Sequence, residues 1–412
     1  MDLLVLISVR LLFLLINAAA LFSATHLLCL NTLKCIISDV KTVDDLFVLQ
    51  YVAKNIYFVV FERVQMEHLD TALLNRVGDS GRNVIIQQSE TLARLCISAE
   101  STVVTFYAKS TSLKSIHFET NHHLRLLSVS YSKIVTIPPT VHRGIGLSTF
   151  EISNSAIRKL DLALFCDIPL LKVLDFNANK IRGVVNSCRR VCKVYDSLKK
   201  LILSNNLLKT VSMNHFRPFV QLGELRLNDN LIRLLTGTFA SDMLQELDVS
   251  DNKLKAFSLC QWRIPFLTVL LLNLNQLTAL PACLDNLKSL KKLDMEKNRI
   301  SSIEFRDLVW MDNLELILLT HNTIRSITLN SSDFPMKLKK IYVDRNNITA
   351  LNLLFVPVEA LEVNAAYNFI SSFNITATSK HIKKLIMLGN PMDCSWDYPA
   401  ERMSSKCYYQ ST

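Results

Sequence analysis

The chain reads Leu198-x-x-Leu201-x-Leu203-x-x-Asn206-x-Leu208 and then, 24 residues on, Leu222-x-x-Leu225-x-Leu227-x-x-Asn230-x-Ile232. Five later segments fit the same template: Leu244 to Leu254, Leu267 to Leu277, Leu290 to Ile300, Leu314 to Ile324 and Leu338 to Ile348. The asparagine itself recurs at intervals of 22 to 27 residues, at Asn179, Asn206, Asn230, Asn252, Asn275, Asn298, Asn322, Asn346, Asn368 and Asn390. A period this regular predicts stacked copies of one small structural unit.

The template is the leucine-rich-repeat signature, L-x-x-L-x-L-x-x-N-x-L at a period of about 20–29 residues. Its x-Leu-x-Leu-x centre predicts a short strand whose side chains point alternately inward and outward. The asparagine amide can satisfy backbone groups of its own turn and bond the next repeat as a ladder. We therefore predict an α/β fold, a leucine-rich-repeat solenoid (horseshoe) with a parallel concave β-sheet and cysteine-bearing end caps.

Weaker copies extend the array toward the N-terminus. Leu124 to Ser132 and Leu147 to Ser155 keep the template with serine in place of asparagine, and Ile56 to Phe61 keeps only the strand pattern. We count about thirteen repeats in one domain. The predicted organisation is a signal peptide over 1–20, an N-terminal cap over 21–55, the solenoid over 56–392 and a C-terminal cysteine cap over 393–412.

The N-terminus and the composition indicate where the protein is located. An apolar run that ends in Ala18-Ala19-Ala20 is typical of a secretory signal, with a signal anchor as the alternative. No later segment reaches the roughly 18 apolar residues of a membrane span. The chain has 412 residues, of which 50% are hydrophobic, and a formal net charge of +10. This composition excludes disorder, and we expect a secreted, extracellular protein.

Ten cysteines permit a disulfide framework. Cys29 and Cys35 have the spacing of a local N-terminal staple, and Cys394 and Cys407 are expected to close the C-terminal cap. Cys260 and Cys283 each lie eight residues after a ladder asparagine. Equivalent positions in adjacent turns are about 5 Å apart, so this pair is a bridge candidate, with two buried thiols as the alternative.

The remaining four cysteines do not pair uniquely. Cys188 and Cys192 could staple the loop of the longest repeat, or Cys166 from the preceding turn could capture one of them. If Cys188 and Cys192 bond, Cys96 and Cys166 are left as buried thiols or intermolecular links.

The sequence predicts no enzyme. It contains no G-x-S-x-G, no H-E-x-x-H and no P-loop. His122 and His123 are adjacent and fit surface histidines better than metal ligands. We expect no cofactor, no metal and no nucleic-acid partner.

Binding is the natural activity of an extended concave face. Its outward positions include an apolar group beside two charges, which resembles an interface hot spot: Leu316, Leu318, Tyr342, Asp344 and Arg345. The alternative is that these are ordinary scattered apolar residues of a surface.

Two further surface features are readable. Lysine pairs at the start of several strands predict a basic edge that could attract anionic glycans or lipids, or else a solvated strand edge: Lys199, Lys200, Lys291, Lys292, Lys339, Lys340, Lys383 and Lys384. Three sequons predict N-glycosylation at Asn330, Asn347 and Asn374.

With these features together, the sequence resembles the mosquito leucine-rich-repeat immune proteins, a secreted family of the haemolymph. The resemblance rests on Cys29…Lys34-Cys35-Ile36-x-x-Asp39-Val40, on the asparagine ladder and on Asn390-Pro391-Met392-Asp393-Cys394-Ser395-Trp396-Asp397. It implies a role in innate immunity, with complement-like thioester proteins among the partners. The residues after Cys407 leave no room for coiled-coil heptads, so we expect a coil-less member.

Two hypotheses for function follow. The first is a secreted innate-immune protein that binds other proteins, such as complement-like factors or pathogen surfaces, through its concave face. The second is an extracellular adhesion or receptor-type ectodomain that binds a membrane ligand or an anionic glycan.

Overall fold

The structure is a computed structural model that describes residues 25–30, 33–53, 55–329, 333–392 and 408–410. The predicted signal peptide, Asn330, Cys394 and Cys407 lie outside these residues. The chain divides into two compact units, Met1–Ile202 and Leu203–Thr412.

The first unit is built almost entirely from short strands. In chain order they are β1 (His26–Cys29), β2 (Lys34–Ser38), β3 (Phe58–Glu62), β4 (His68–Asp70), β5 (Asn83–Ser89), β6 (Arg94–Ile97), β7 (Thr105–Thr111), β8 (Ser115–Phe118), β9 (Leu126–Ser130), β10 (Thr149–Ser153), β11 (Lys159–Asp161), β12 (Val173–Asp175), β13 (Gly183–Val185) and β14 (Lys200–Ile202). The helical segments of this unit are 3₁₀ helices at Asp44–Tyr51, Thr71–Arg82, Val141–Arg143, Leu162–Phe165 and Lys193–Asp196.

One strand per repeat enters the main sheet of the first unit. β2, β3, β5, β7, β9, β10, β12 and β14 pair in parallel in that order. β1 pairs antiparallel with β2. The return segments contribute a parallel ribbon of β4, β6 and β8 and the pair β11–β13. The parallel sheet therefore begins at Lys34, within the range that the sequence assigns to the N-terminal cap.

The second unit repeats this plan with shorter strands. They are β15 (Thr210–Ser212), β16 (Glu224–Arg226), β17 (Leu234–Thr236), β18 (Phe239–Ala240), β19 (Glu246–Asp248), β20 (Trp262–Arg263), β21 (Val269–Leu271), β22 (Lys292–Asp294), β23 (Leu316–Leu318), β24 (Ser326–Thr328), β25 (Lys340–Tyr342), β26 (Ala350–Asn352), β27 (Leu361–Asn364), β28 (Ile382–Ile386) and β29 (Tyr408–Gln410). Its 3₁₀ helices are Met213–His215, Leu284–Asn286, Phe305–Leu308 and Ile375–Ala377.

The main sheet of the second unit is parallel from β16 through β19, β21, β22, β23, β25 and β27 to β28. β29 closes it with an antiparallel pairing to β28. Short parallel pairs, β15–β17, β18–β20 and β24–β26, run through the return segments.

The consensus leucines form the core because every second strand residue points inward. Leu247, Leu270, Leu293 and Ile317 lie in register on four successive strands, and each is fully buried. Burying one such side chain contributes about 1.5–3 kcal/mol relative to exposing it. The predicted leucine-rich-repeat solenoid is confirmed, and its leucines specify it repeat by repeat.

The ladder asparagines join consecutive repeats. The Asn230 side-chain oxygen accepts a hydrogen bond from the Leu208 N–H at 3.1 Å, and its Nδ2 donates to Leu203 O at 2.9 Å and Leu227 O at 3.0 Å. The partners across the turn belong to the preceding repeat, whereas we expected the next one. In the first unit a serine can take the place of the asparagine: Ser89 Oγ accepts a hydrogen bond from the Val64 N–H of the preceding repeat at 2.9 Å.

Candidate binding surfaces

The outward positions of the main sheet form straight rows because the strands pair in register. In the second unit the middle row holds Arg226, Asp248, Leu271, Asp294, Leu318, Tyr342, Asn364 and Ile386. All of these side chains except Asp294 are partly exposed, and Asp294 is buried. Apolar and charged residues therefore share one solvent-facing surface.

The predicted apolar group lies within this surface. Leu318 is directly opposite Tyr342, and Leu316 is opposite Lys340 on the same two strands. Leu316, Leu318 and Tyr342 are all partly exposed. The structure thus brings the three residues together on β23 and β25, where each is available to a partner.

The two charged residues of the predicted group have other contacts. The Asp344 carboxylate accepts hydrogen bonds from Thr320 Oγ1 at 2.8 Å and Asn364 Nδ2 at 3.1 Å. The Arg345 guanidinium carbon lies 4.7 Å from the centroid of the Tyr367 ring, a cation–π contact. Arg345 and Tyr367 therefore form a second group, which lies just beyond the C-terminal ends of β25 and β27.

Carboxylates collect beside the apolar group. Burial, together with the nearby charges of Asp294 and Asp344, raises the pKa of Glu296 above its usual range. The Glu296 N–H donates to Asp294 Oδ1 at 3.2 Å, which fixes the turn that holds both acids. These carboxylates lie at the C-terminal ends of the strands, where they would favour a cationic or hydrogen-bonding group on a partner.

The predicted basic edge is partly neutralised in the second unit. Lys339 Nζ lies 2.7 Å from Glu315 Oε2, Lys340 Nζ lies 3.5 Å from Glu362 Oε2, and Lys292 Nζ lies 3.4 Å from Asp294 Oδ2. The hydrogen bond from Lys339 holds the pKa of Glu315 below its usual range.

The other lysines of this edge vary in exposure. Lys291 and Lys383 are exposed, and Lys384 is partly exposed and in register with Glu362. Lys199 and Lys200 lie in the first unit, where Lys200 begins β14. The net positive charge of the edge in the second unit is therefore smaller than the lysine pairs suggest.

The first unit carries an apolar surface that the sequence patterns did not reveal. Ile36, Val60, Ile85 and Tyr107 occupy one row on four consecutive strands. Ile36, Ile85 and Tyr107 are partly exposed, and Val60 is buried. Phe58 adds to it, with its ring centroid 6.4 Å from that of Tyr107. We call these five residues the N-terminal apolar row. A contiguous apolar surface of this kind marks an interaction site more often than isolated apolar residues do.

The cysteines form bonds within each unit. Cys29 is bonded to Cys35, and Cys260 is bonded to Cys283 with a Cα–Cα separation of 5.0 Å. Cys96 is a free, partly buried thiol, and burial raises its pKa.

Three further cysteines meet in one cluster. Cys192 Sγ lies in close contact with the sulfur atoms of both Cys166 and Cys188. Only one of the two bonds can exist at a time, so the predicted Cys188–Cys192 staple competes with a Cys166–Cys192 bridge. Within the described part of the chain, these sulfurs are the one group of three or more His, Cys, Asp or Glu ligands close enough to hold a metal ion. Either disulfide would remove two of the thiolates that a metal needs.

The two sequons within the described residues are accessible. Asn347 and Asn374 are both exposed. The Asn374 oxygen accepts from the Ala377 N–H at 3.2 Å at the start of a 3₁₀ helix. Glycosylation occurs on the side-chain nitrogen and would leave this oxygen available.

None of the helices in the described ranges is both long and apolar enough to cross a membrane.

The repeats, the ladder and the patterned outward face define the class: this is a leucine-rich-repeat protein. No protein-family model matches the chain. Among curated proteins, a 188-residue stretch is 25% identical to the volume-regulated anion channel subunit LRRC8D of Rattus norvegicus, covering 44% of this chain and 21% of that protein. The chain thus spans about a fifth of the length of the curated relatives it matches.

Solved structures share the fold at low sequence identity. The Leptospira interrogans LRR protein LIC12759 matches with a TM-score of 0.59 and 17% identity, covering 82% of this chain and 90% of that one. A chain of the LRIM1/APL1C complex matches with a TM-score of 0.60 and 19% identity, covering 88% of this chain and 62% of that one. These similarities show the leucine-rich-repeat fold.

Proposed function

We propose that this protein is a secreted innate-immune leucine-rich-repeat protein, without a catalytic function, that binds other proteins through the outward face of its parallel sheets. The observation that carries the proposal is the partly exposed group of Leu316, Leu318 and Tyr342 on β23 and β25. A partner that covers it would gain from burying apolar area, and Tyr342 could keep its hydroxyl hydrogen-bonded at the rim.

Secretion is supported by the cysteine bonds. The Cys29–Cys35 and Cys260–Cys283 disulfides form and persist in oxidising compartments. The immune role and the candidate partners, complement-like thioester proteins or pathogen surfaces met in haemolymph, rest on the resemblance to the mosquito immune proteins. The LRIM1/APL1C complex contains two such chains, and its likeness to this one supports the resemblance at the level of the fold.

The test is capture of partners from haemolymph by the purified chain, with identification by mass spectrometry. We expect Tyr342→Ala and Leu318→Asp to reduce capture of a complement-like thioester protein at least tenfold, without loss of expression. Phe266→Ala is the matched control, because Phe266 is 55% exposed and lies outside the main sheet.

A third variant separates the two surfaces. Tyr107→Ala alters the N-terminal apolar row in the first unit and leaves β23 and β25 intact. If all three sheet variants capture partners as the unaltered chain does, binding through the sheet faces is wrong.

A further inference from the structure

Three sulfur atoms in the first unit compete for two positions in a disulfide. Cys166 follows the 3₁₀ helix Leu162–Phe165, and Cys192 precedes the 3₁₀ helix Lys193–Asp196. The Lys193 N–H donates to Cys166 O at 2.8 Å, which fixes the two backbones side by side. Cys188 Sγ lies 3.3 Å from Cys166 Sγ and in close contact with Cys192 Sγ.

The backbone geometry favours one of the two possible bonds. The Cα atoms of Cys166 and Cys192 are 4.5 Å apart, within the range of ordinary disulfides. Those of Cys188 and Cys192 are 7.4 Å apart, so a bond between them requires the loop to move inward. Cys166 and Cys192 are buried, whereas Cys188 is partly exposed. The ground state is therefore a buried Cys166–Cys192 bond with Cys188 as a third sulfur at its side.

Two contacts hold the loop that presents Cys188. The Arg190 guanidinium donates two hydrogen bonds to the Asp167 carboxylate, at 2.7 and 2.9 Å. The Ser187 N–H and hydroxyl both bond the Asp161 carboxylate, at 3.1 and 2.5 Å. The hydrogen bond from Arg190 holds the pKa of Asp167 below its usual range. The loop is thus fastened on both sides of Cys188, which holds its sulfur beside the bond and opposes the inward movement that a Cys188–Cys192 bond requires.

We infer that Cys166, Cys188 and Cys192 form a thiol–disulfide exchange site in which the bond to Cys192 passes between Cys166 and Cys188. The Cys188 thiolate attacks Cys192 Sγ and forms a new S–S bond as the Cys166–Cys192 bond breaks. The electron pair leaves with Cys166 Sγ, which takes up one proton from solvent in place of the proton that Cys188 lost. The reaction is an isomerisation and needs neither oxidant nor reductant.

The exchange changes which thiol the protein shows to solvent. With Cys166–Cys192 bonded, the free thiol is Cys188 on the loop. With Cys188–Cys192 bonded, the free thiol is the buried Cys166. The site would therefore offer a surface thiol for covalent modification in one isomer and withdraw it in the other, independently of the binding proposed above.

The test maps the bonds in the full chain, secreted by an oxidising host and never reduced. Protein is quenched in acid, alkylated with N-ethylmaleimide at low pH, and digested with an acid-active protease for mass spectrometry. We expect both linkages, Cys166–Cys192 with maleimide on Cys188 and Cys188–Cys192 with maleimide on Cys166. Finding a single linkage overturns the inference.

A second measurement distinguishes exchange from a fixed mixture of isomers. Prolonged maleimide treatment of the native protein blocks Cys188 whenever it is free. Exchange then drains the Cys188–Cys192 isomer until only Cys166–Cys192 remains, whereas a fixed mixture keeps its ratio and overturns the inference.

Two variants of the loop address the role of Arg190 as a positioning residue. Arg190→Ala removes the contact with Asp167, so the loop can close and the Cys188–Cys192 fraction should rise severalfold. Arg189→Ala is the matched control, since Arg189 is an exposed neighbour, and it should leave the ratio unchanged. Equal ratios in the two variants would remove Arg190 from the mechanism.

Discussion

The side-chain oxygen of Asn275 accepts a hydrogen bond from the backbone N–H of Leu254 at 3.0 Å, so one side chain closes the repeat before its own. Its Nδ2 donates to Val249 O at 3.0 Å and to Leu272 O at 3.1 Å, and the whole group is buried. The two repeats are thereby joined by polar contacts within an otherwise apolar core.

Asn275→Ala should lower the free energy of unfolding by about 1–3 kcal/mol, because it leaves buried backbone groups without partners. Asn273→Ala is the control: the residue type and the change are the same, and the Asn273 carbonyl that Asn275 uses is retained. Urea unfolding measures both. Equal midpoints for the two variants would contradict a structural role for the ladder.

The second prediction concerns Glu296, whose pKa is raised by burial. Because the folded state holds this proton more tightly than the unfolded state, stability falls as pH rises from the unfolded pKa through the folded one. Glu296→Gln should stabilise the protein at pH 7 by less than about 1 kcal/mol, since the site is partly solvated. The gain should vanish below about pH 4, where both states are protonated.

Thermal unfolding across pH 3.5–8 checks this prediction. Glu90→Gln, at an exposed position, should show no such pH-dependent gain. A gain from Glu296→Gln that persists at the lowest pH would mean that something other than ionisation is responsible.

The third prediction concerns the bridge between Cys260 and Cys283, which are 23 residues apart. Replacing both with alanine should cost about 2–4 kcal/mol, because the unfolded chain gains freedom. Cys96→Ala is the control, since it removes a sulfur and no bond. Guanidinium unfolding that shows similar losses in both variants would count against a stabilising bond.

The fourth prediction addresses the anionic-ligand hypothesis. Glu315 and Glu362 neutralise Lys339 and Lys340, so Glu315→Gln with Glu362→Gln should strengthen retention on heparin and raise the eluting salt concentration. Glu304→Gln is the control because Glu304 pairs with Arg306 outside the main sheet. If the control shifts elution as far as the double variant, the lysine edge is not the site of retention.

The fifth prediction concerns the sequon at Asn347. Thr349→Ala should abolish one glycan, seen as a loss of mass equal to that released from this site by a glycosidase, while Thr349→Ser retains the sequon and the glycan. The neighbouring ladder residue Asn346 is untouched by either change. If the two variants differ in mass by no more than the one oxygen atom that distinguishes serine from alanine, Asn347 is not used.

The repeats could be predicted because each leucine and asparagine fills a position that the stack makes unique. The ion-pair partners of the lysines could also be proposed from the sequence, because Glu315 and Glu362 lie one repeat from Lys339 and Lys340. The sequence alone, however, does not show which long side chains reach one another.

The N-terminal apolar row was missed for a physical reason. Its repeats lack the ladder asparagine, so the outward position of Val60 rested on the bare strand pattern of Ile56 to Phe61, and the sequence did not show that Ile85 shares its row. The signal that could have found them is serine: Ser89 bonds the repeat before it, and the same residue type recurs at Ser132 and Ser155. The cysteine cluster was left open because the surplus length of its repeat hides the register of Cys188 and Cys192.

Because each ladder asparagine bonds the preceding repeat, the ladder also sets the order in which the repeats can be completed during synthesis. Leu208 donates its N–H to Asn230, a residue 22 positions later in the chain. As the protein emerges from the ribosome, each turn therefore has a polar group that cannot be satisfied until the following turn has been made. Folding during synthesis should trail the growing end by one full repeat, and a nascent chain halted inside a repeat should leave the previous turn open.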